Sequence, residues 1–196
     1  ETMVGDVDGR DVVELGCGGG QLTVGLARRG ATVTGVDLST EQLGFARDLA
    51  SEHGVRDRVE FVHGDVTDLP LADASFDVAC NAFVFQWVGD LDACFREASR
   101  VLRPGGRFAF STPHPYYRLL DFETGEVAES YFDTGRHVRD SEDGLPDLVT
   151  YRNTVADFHD GLVDAGFEIE TMLEPGSADP DDYEEGPWGE RKPELL

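Results

Sequence analysis

Glycines stand at alternate positions, Gly16, Gly18 and Gly20, just after an apolar run that contains the acidic residue Glu14. A backbone without side chains can turn sharply and lie against a ligand, and the N-terminus of a following helix offers it unpaired N–H groups. Alone, such a loop fits several nucleotides. Asp37 closes the next apolar run, where a carboxylate can accept hydrogen bonds from both hydroxyls of a ribose. Asp65, in Gly64-Asp65-Val66 after the third run, can accept from the amino group of an adenine, or it caps a turn. A dinucleotide fingerprint calls for a third glycine at position 21 to close helix onto strand. That position is Gln21, so a pyrophosphate loses ground as the ligand.

For proton transfer the best candidate is His114, in Thr112-Pro113-His114-Pro115-Tyr116 after the fifth apolar run, because imidazole titrates near neutrality. A histidine held between two prolines serves a structural role equally well. His63, His137 and His159 have less to support them. Tyr116, Tyr131 and Arg152 stand in the same late segment and can touch an acceptor. Cys17, Cys80 and Cys94 are an odd number without metal-ligand spacing, so no metal site is expected; they read as small buried hydrophobes in a reducing compartment.

The elements that must position these residues alternate. Strands are expected over residues 12–15, 31–36, 59–62, 76–80 and 107–111, with helices over 20–29, from Ser39 to Gly54, and over 90–102. Ser39 with Gln42 is a capping-box pattern, and little room is left for a helix between the third and fourth strands. Pro104-Gly105-Gly106 reads as a turn from helix to strand. Alternation of this kind predicts an α/β fold: an open, mostly parallel Rossmann-like sheet with helices on both faces. Both acids and His114 then lie at strand C-terminal ends, the edge where such sheets bind ligands.

From 112 to 152 the alternation fails, among prolines, glycines, charges and the aromatics Tyr116, Tyr117, Phe122, Tyr131 and Phe132. A loop of that length inside a compact domain is usually functional, so 112–152 is read as a lid-like insertion. Thr154 with Asp157 caps a last helix, with Val155, Phe158, Leu162, Val163 and Ala165 facing inward until Gly166, and residues 167–173 read as a final strand. The tail from Glu174 is acidic and loosely held unless Tyr183 and Trp188 anchor it.

The 196 residues suit one domain, 1–196, with a hydrophobic core. The first strand follows Glu1 almost at once, so further residues are expected upstream. No run approaches the roughly 20 apolar residues that span a bilayer, and no basic leader precedes an apolar one. A cytoplasmic protein that makes no membrane contact is expected. Forty acidic side chains against 16 basic ones give a net charge of -24, with Lys192 the only lysine. That balance repels phosphate backbones and makes nucleic acid a poor partner. Scattered over the chain, the acids resemble a surface adapted to high salt, where screening acts over about 3 Å at 1 M; a halophilic source is the expectation, and an acidic face for a cationic substrate the alternative.

On these motifs the chain resembles the class I S-adenosylmethionine-dependent methyltransferases, in particular the small-molecule type 11 group. The resemblance runs from residue 12 to about 111 through Glu14-x-Gly16-x-Gly18-x-Gly20, Asp37, Gly64-Asp65-Val66, Phe76-Asp77-Val78 and Leu102-Arg103-Pro104-Gly105-Gly106-Arg107. It implies S-adenosylmethionine as cofactor, S-adenosylhomocysteine as product and a small-molecule methyl acceptor. It further implies that Glu14 and the backbone of Gly16, Cys17 and Gly18 hold the methionine portion, that Asp37 binds ribose, and that Asp65 takes the adenine amine. Leu38 and Val66 would sandwich the adenine, Asn81 and Ala82 complete the methionine pocket, and Phe83, Phe85 and Trp87 line the approach to the methyl group. Core packing is the other reading of those three rings. Methyl transfer from a sulfonium needs mainly alignment and exclusion of water, and a base only where the acceptor must lose a proton.

The sequence departs from that pattern at its end. The fold of the group closes with an antiparallel hairpin of sixth and seventh strands, and no second apolar strand follows Leu173, so the hairpin is expected to be incomplete. Residues 81–84 read Asn-Ala-Phe-Val, without the Pro-Pro-aromatic of DNA amino-methylation. The competing functions are an S-adenosylmethionine-binding protein without catalysis and an NAD-dependent oxidoreductase, the latter disfavoured by Gln21 and Asp65. Oligomeric state is not legible in the sequence.

Overall fold

The computed structural model describes residues 4–119, 126, 127, 129–139 and 147–174. Phe122, Tyr183, Trp188 and the tail beyond Glu174 lie outside the described residues.

Five parallel strands form the main sheet: β1 (Asp11–Leu15), β2 (Thr32–Asp37), β3 (Val59–His63), β4 (Phe76–Ala82) and β5 (Leu102–Ser111), in the order β3-β2-β1-β4-β5. Four helices accompany them: α1 (Gln21–Arg28), α2 (Thr40–Glu52), α3 (Leu91–Val101) and α4 (Val155–Asp164). The open α/β sheet covered on both faces is the fold the alternation predicts. Successive strand residues point to opposite faces. Val12, Val33 and Val78 therefore pack with Val24 and Leu26 of α1, whereas Val13, Leu15 and Ala79 meet Phe95 of α3 and Phe158 of α4.

Caps set the helix starts. The Ser39 hydroxyl accepts from Gln42 N–H at 3.2 Å, Asp90 Oδ1 from Ala93 N–H at 2.8 Å, and Thr154 with Asp157 forms a reciprocal capping box. Between β3 and β4 the chain runs as a strapped loop: Arg100 donates to the carbonyls of Leu69 and Leu71 at 3.0 and 2.8 Å and pairs with Asp73 and Glu97.

Four expectations change. Arg103-Pro104-Gly105-Gly106 is no turn before the strand. β5 starts at Leu102, opposite Phe76, and a wide bulge carries the extra residues before Arg107 meets Val78. Gly105 takes φ +80° there, and Arg103 ties the bulge to Asp11 and Asp77 at 2.9 Å each. The Asp11 N–H, which donates to Asp77 Oδ2 at 3.0 Å, and then the Arg103 guanidinium hold the Asp77 carboxyl below its ordinary range. Residues 167–173 form no strand: Phe167 and Ile169 alternate inward toward the core and Arg107 reaches Glu170 at 3.1 Å, but no ladder forms with β5. Val163 is 50% exposed, because α4 buries the stripe of Phe158, Gly161 and Leu162 instead.

The fourth change concerns residues 112–152. They contain a 3-10 turn, Pro115–Leu119, and an antiparallel pair, β6 (Gly135–Arg139) with β7 (Leu148–Arg152), set apart from the main sheet. Among the described residues no helix is long and apolar enough to cross a membrane.

Candidate active site

The strand order reverses between β1 and β4, since β2 and β3 lie to one side of β1 and β4 and β5 to the other. Open α/β sheets bind ligands at such a switch point, outside the strand C-termini. A cleft of about 610 Å³ opens there, within the range of small-molecule and cofactor sites. Its floor is Gly16 and Gly18 after β1, Asp37 and Leu38 at the end of β2, and residues 64–67 after β3; Ala82 at the end of β4, Phe83, Val84, residues 87–90 and Tyr151 of β7 form the rest.

Two loops meet closely at the reversal. A Cβ on Gly16 would lie 2.7 Å from Val84 Cγ2, and Gly16 holds φ +71°, so this position admits only glycine without movement. The loop is fixed from below by the N–H groups of Gly16 and Cys17, which both donate to the Val36 carbonyl at 2.8 and 2.9 Å. Asp37 fixes it from the side, Oδ2 accepting from Gly18 N–H at 2.7 Å and Oδ1 from Ser39 N–H at 2.8 Å. A carboxylate offers about four lone-pair sites, so both oxygens can still accept from a ligand. Asp65 spends Oδ1 on the amide and hydroxyl of Thr67, at 2.9 and 2.8 Å. Leu38 is two-thirds exposed beside it, and Val66 is half-buried.

Glu14 lies beneath this floor. It is buried and accepts a hydrogen bond from the Thr23 hydroxyl of α1. Burial pushes its carboxyl up from 4.5 to about 7, against the lowering effect of Thr23. Cys17 is also buried below the loop, its thiol pushed up to about 12 by burial, so it remains an inert thiol. Asn81, at the end of β4, is buried with neither its Nδ2 nor its Oδ1 bonded to protein.

The predicted aromatics divide. Phe85 is fully buried among Phe95, Phe108, Phe110 and Phe158, with centroid distances of 5.3, 6.4, 4.8 and 5.7 Å. Phe83 and Trp87 line the cleft and are 56% and 50% exposed. Phe83 holds φ +59°, where a bulky residue is an outlier, and donates its N–H to the Ser111 carbonyl at 2.9 Å.

The late-segment candidates stand off the cleft lining. His114 accepts at Nδ1 from Tyr116 N–H at 3.1 Å, which leaves its proton on Nε2, 2.8 Å from Glu174 Oε1. Both ring nitrogens are thus engaged. Tyr116 is exposed. The Tyr131 hydroxyl accepts from Val155 N–H at 2.8 Å, at the first turn of α4. Arg152 pairs with Glu129 and borders a separate hollow of about 30 Å³ beside Pro113 and Phe158.

Tyr151 and Asp90 line the cleft and are absent from the sequence reading. Tyr151 packs over Gly89, whose Cβ would meet the ring at 3.0 Å. Its signal was the β-prone run Leu148-Val149-Thr150-Tyr151. For Asp90, the sequence shows only the start of a helix, and its place in the cleft lining depends on the fold.

Comparison with known proteins accords with this geometry. A family model described as a methyltransferase domain matches residues 13–110. A fatty-acid O-methyltransferase of Mycolicibacterium smegmatis is 39% identical over 120 residues, covering 60% of this chain and 42% of that protein. The chain thus spans about two fifths of the length of that relative. Among solved structures, an S-adenosylmethionine-dependent methyltransferase from Mesorhizobium loti superposes with a TM-score of 0.73 at 29% identity, covering 86% of this chain and 79% of that one. A Listeria monocytogenes structure described in the same terms shares the fold, with a TM-score of 0.76 at 24% identity over 88% of this chain and 84% of that one. Since the family model covers half of the sequence, from the third residue of β1 into β5, the chain belongs to the methyltransferase domain family.

Proposed function

We propose that this chain is the catalytic part of an S-adenosylmethionine-dependent methyltransferase acting on a small molecule. The observation that carries the reading is the cleft at the strand-order reversal, where Gly16, Gly18, Asp37 and Asp65 come together. Asn81 supplies a test of fit. A buried amide without a partner costs about 1–3 kcal/mol, and the polar groups of an amino-acid moiety beside Ala82 would satisfy it.

In this reading Asp37 accepts from the ribose hydroxyls, Asp65 Oδ2 accepts from the adenine amine, and Leu38 and Val66 flank the ring. The backbone of Gly16, Cys17 and Gly18, together with Asn81 and Ala82, holds the amino-acid end, and Glu14 holds the loop through Thr23. The bound cofactor supplies a methyl carbon on a sulfonium with a good leaving group. The chain's own task is to align the acceptor and exclude water. Phe83 and Trp87 line that approach. Residues 112–152 act as the lid, a reading supported by Tyr151 already lining the cleft. Closure would bring Tyr116, Tyr131, Arg152 and His114 toward the acceptor.

Calorimetry with S-adenosylmethionine, S-adenosylhomocysteine and NAD tests the core of the proposal. The first two are expected to bind and NAD is not; tight NAD binding without response to the others would sink it. Asp37→Ala should weaken cofactor binding by about 1–3 kcal/mol, and unchanged affinity in a folded variant would contradict the ribose contact. Transfer of labelled methyl groups into a cell extract then separates an enzyme from a binding protein.

The cytoplasm is the proposed location, and the charge of -24 supports two further readings: a protein adapted to high salt, and an acceptor that is not nucleic acid. A thermal midpoint that climbs steadily between 0.1 M and 2 M KCl is the expected mark of the first. A flat response would remove it.

A further inference from the structure

We propose that the acceptor end of this cleft recognises an amine on an otherwise apolar molecule, through the rings of Phe83, Trp87 and Tyr151 and the carboxylate of Asp90. The inference rests on the cofactor reading above, which assigns Asp37 and Asp65 to the nucleoside and leaves the wall after β4 for the acceptor.

The composition of the wall argues first. Among the described residues that line the cleft there are three carboxylates, Asp37, Asp65 and Asp90, and no arginine, lysine or histidine. With Asp37 and Asp65 taken by the nucleoside, the charge this lining leaves to the acceptor is the carboxylate of Asp90, and an acceptor carboxylate or phosphate finds no cationic side chain among these lining residues. An ammonium group meets the opposite. The net charge of -24 steers cations toward the molecule before they arrive.

The rings argue second. Phe83 and Trp87 leave half or more of their surface bare inside a cleft, and the negative face of an aromatic ring attracts a cation placed over it. Phe83 is committed to this position at a cost. Its φ of +59° is held by the bond to the Ser111 carbonyl and by the neighbouring Val84, wedged against Gly16. Strain of this kind persists where surrounding structure over-determines it, and it gathers at ligand sites. Tyr151 reaches the same wall from β7 and lies over Gly89, next to Asp90.

Asp90 supplies the charge. Its Oδ1 caps α3 by accepting from Ala93 N–H at 2.8 Å, and Oδ2 carries the lone pairs left for an N–H donor. A carboxylate beside aromatic faces is a complete recognition set for an amine, with the apolar remainder of the acceptor covering the exposed rings.

The test uses three molecules that share an indole and a two-carbon scaffold: tryptamine, tryptophol and indole-3-acetate. S-adenosylhomocysteine is first titrated into the full chain, and the three probes are then titrated at pH 7 with that ligand saturating. Tryptamine is expected to bind at least about tenfold tighter than tryptophol, with no measurable binding of indole-3-acetate. Asp90→Asn retains a good helix cap and should bring tryptamine down to the affinity of tryptophol while leaving tryptophol unchanged. Trp87→Leu should weaken tryptamine and tryptophol alike. The proposal is overturned by indole-3-acetate binding as well as tryptamine, by equal affinities of tryptamine and tryptophol, by no binding of any probe, or by an Asp90→Asn variant that keeps the amine preference. Failure of the first titration alone would remove the cofactor reading, and the same three probes on the unliganded chain would still decide the amine preference.

Discussion

The two walls of the cleft are built in opposite ways. On the wall from β1 and β2, backbone amides are consumed locally: Gly16 and Cys17 donate to Val36, and Gly18 and Ser39 donate to Asp37. Little apolar surface is bare there apart from Leu38. On the wall after β4, Phe83 and Trp87 stand half exposed on a backbone with one residue in the left-handed region. The first wall is pre-organised by short hydrogen bonds, and the second is held from beneath by packing. A hydrogen-bonded loop fixes one ligand shape, whereas rings resting on a packed core can be exchanged without unpairing a backbone group. In the proposed reading the nucleoside of the common cofactor falls to the first wall and the particular acceptor to the second.

Removing the packing under the second wall should break this comparison most visibly. Phe85 lies at the centre of the aromatic cluster and between the two exposed rings in sequence. Phe85→Ala is expected to cost about 3–5 kcal/mol of stability, measured by urea unfolding. Under conditions where the variant remains folded, the affinity for S-adenosylhomocysteine should change by less than about 1 kcal/mol, because the first wall is fixed by backbone hydrogen bonds to Val36 and Asp37 that Phe85 does not make. Equal loss of stability and cofactor affinity would show that the walls are one unit.

The first wall has its own weakness in Glu14. Its pKa in the folded chain is about 7, against an ordinary value of 4.5, because burial disfavours the charged form. The folded state therefore holds the proton more tightly than the unfolded one. The resulting stability is present in full below 4.5 and is lost as pH climbs through about 7. Glu14→Gln keeps an acceptor for the Thr23 hydroxyl without the charge. The variant should match the parent near pH 5 and exceed it at pH 8 by on the order of 2 kcal/mol. Unfolding midpoints at the two pH values check this, and parallel profiles for the two proteins would contradict the burial argument.

The first wall was largely legible in the sequence, and the second was not. Gly16, Gly18, Asp37 and Asp65 announce themselves because each sits where an apolar run ends, and the run fixes the strand that carries it. Nothing local tells that Phe85 turns into the core while Phe83 and Trp87 turn out; that depends on a backbone conformation at Phe83 that the residue type disfavours. β6 was missed because Gly135–Arg139 is mostly exposed and carries no apolar alternation. Residues 167–173 erred in the other direction. Their alternation reflects packing of Phe167 against Phe108, with centroids 5.5 Å apart, without the hydrogen-bond ladder that makes a strand. His114 was placed rightly after β5, but the engagement of its nitrogens by Tyr116 and Glu174 involves a residue 60 positions away.

The smallest expected effect concerns how the late segment is tied down. The capping box at α4 satisfies the amides of Thr154 and Asp157, at 2.7 and 3.1 Å, and leaves Val155 N–H to the Tyr131 hydroxyl at 2.8 Å. Tyr131→Phe removes that acceptor with little change of shape, so the cost should be that of one hydrogen bond at a helix start, about 0.5–1.5 kcal/mol. The effect should be local. Hydrogen exchange at the Val155 amide is expected to quicken by about fivefold, while cofactor affinity and exchange in β1 stay as they are. If the affinity fell as well, the contact between Tyr131 and α4 would have to act on the first wall, and the division between a fixed cofactor wall and an adaptable acceptor wall would fail. Unchanged exchange at Val155 would instead mean that water replaces the hydroxyl at no cost, and that α4 holds its N-terminus through Thr154 and Asp157 alone.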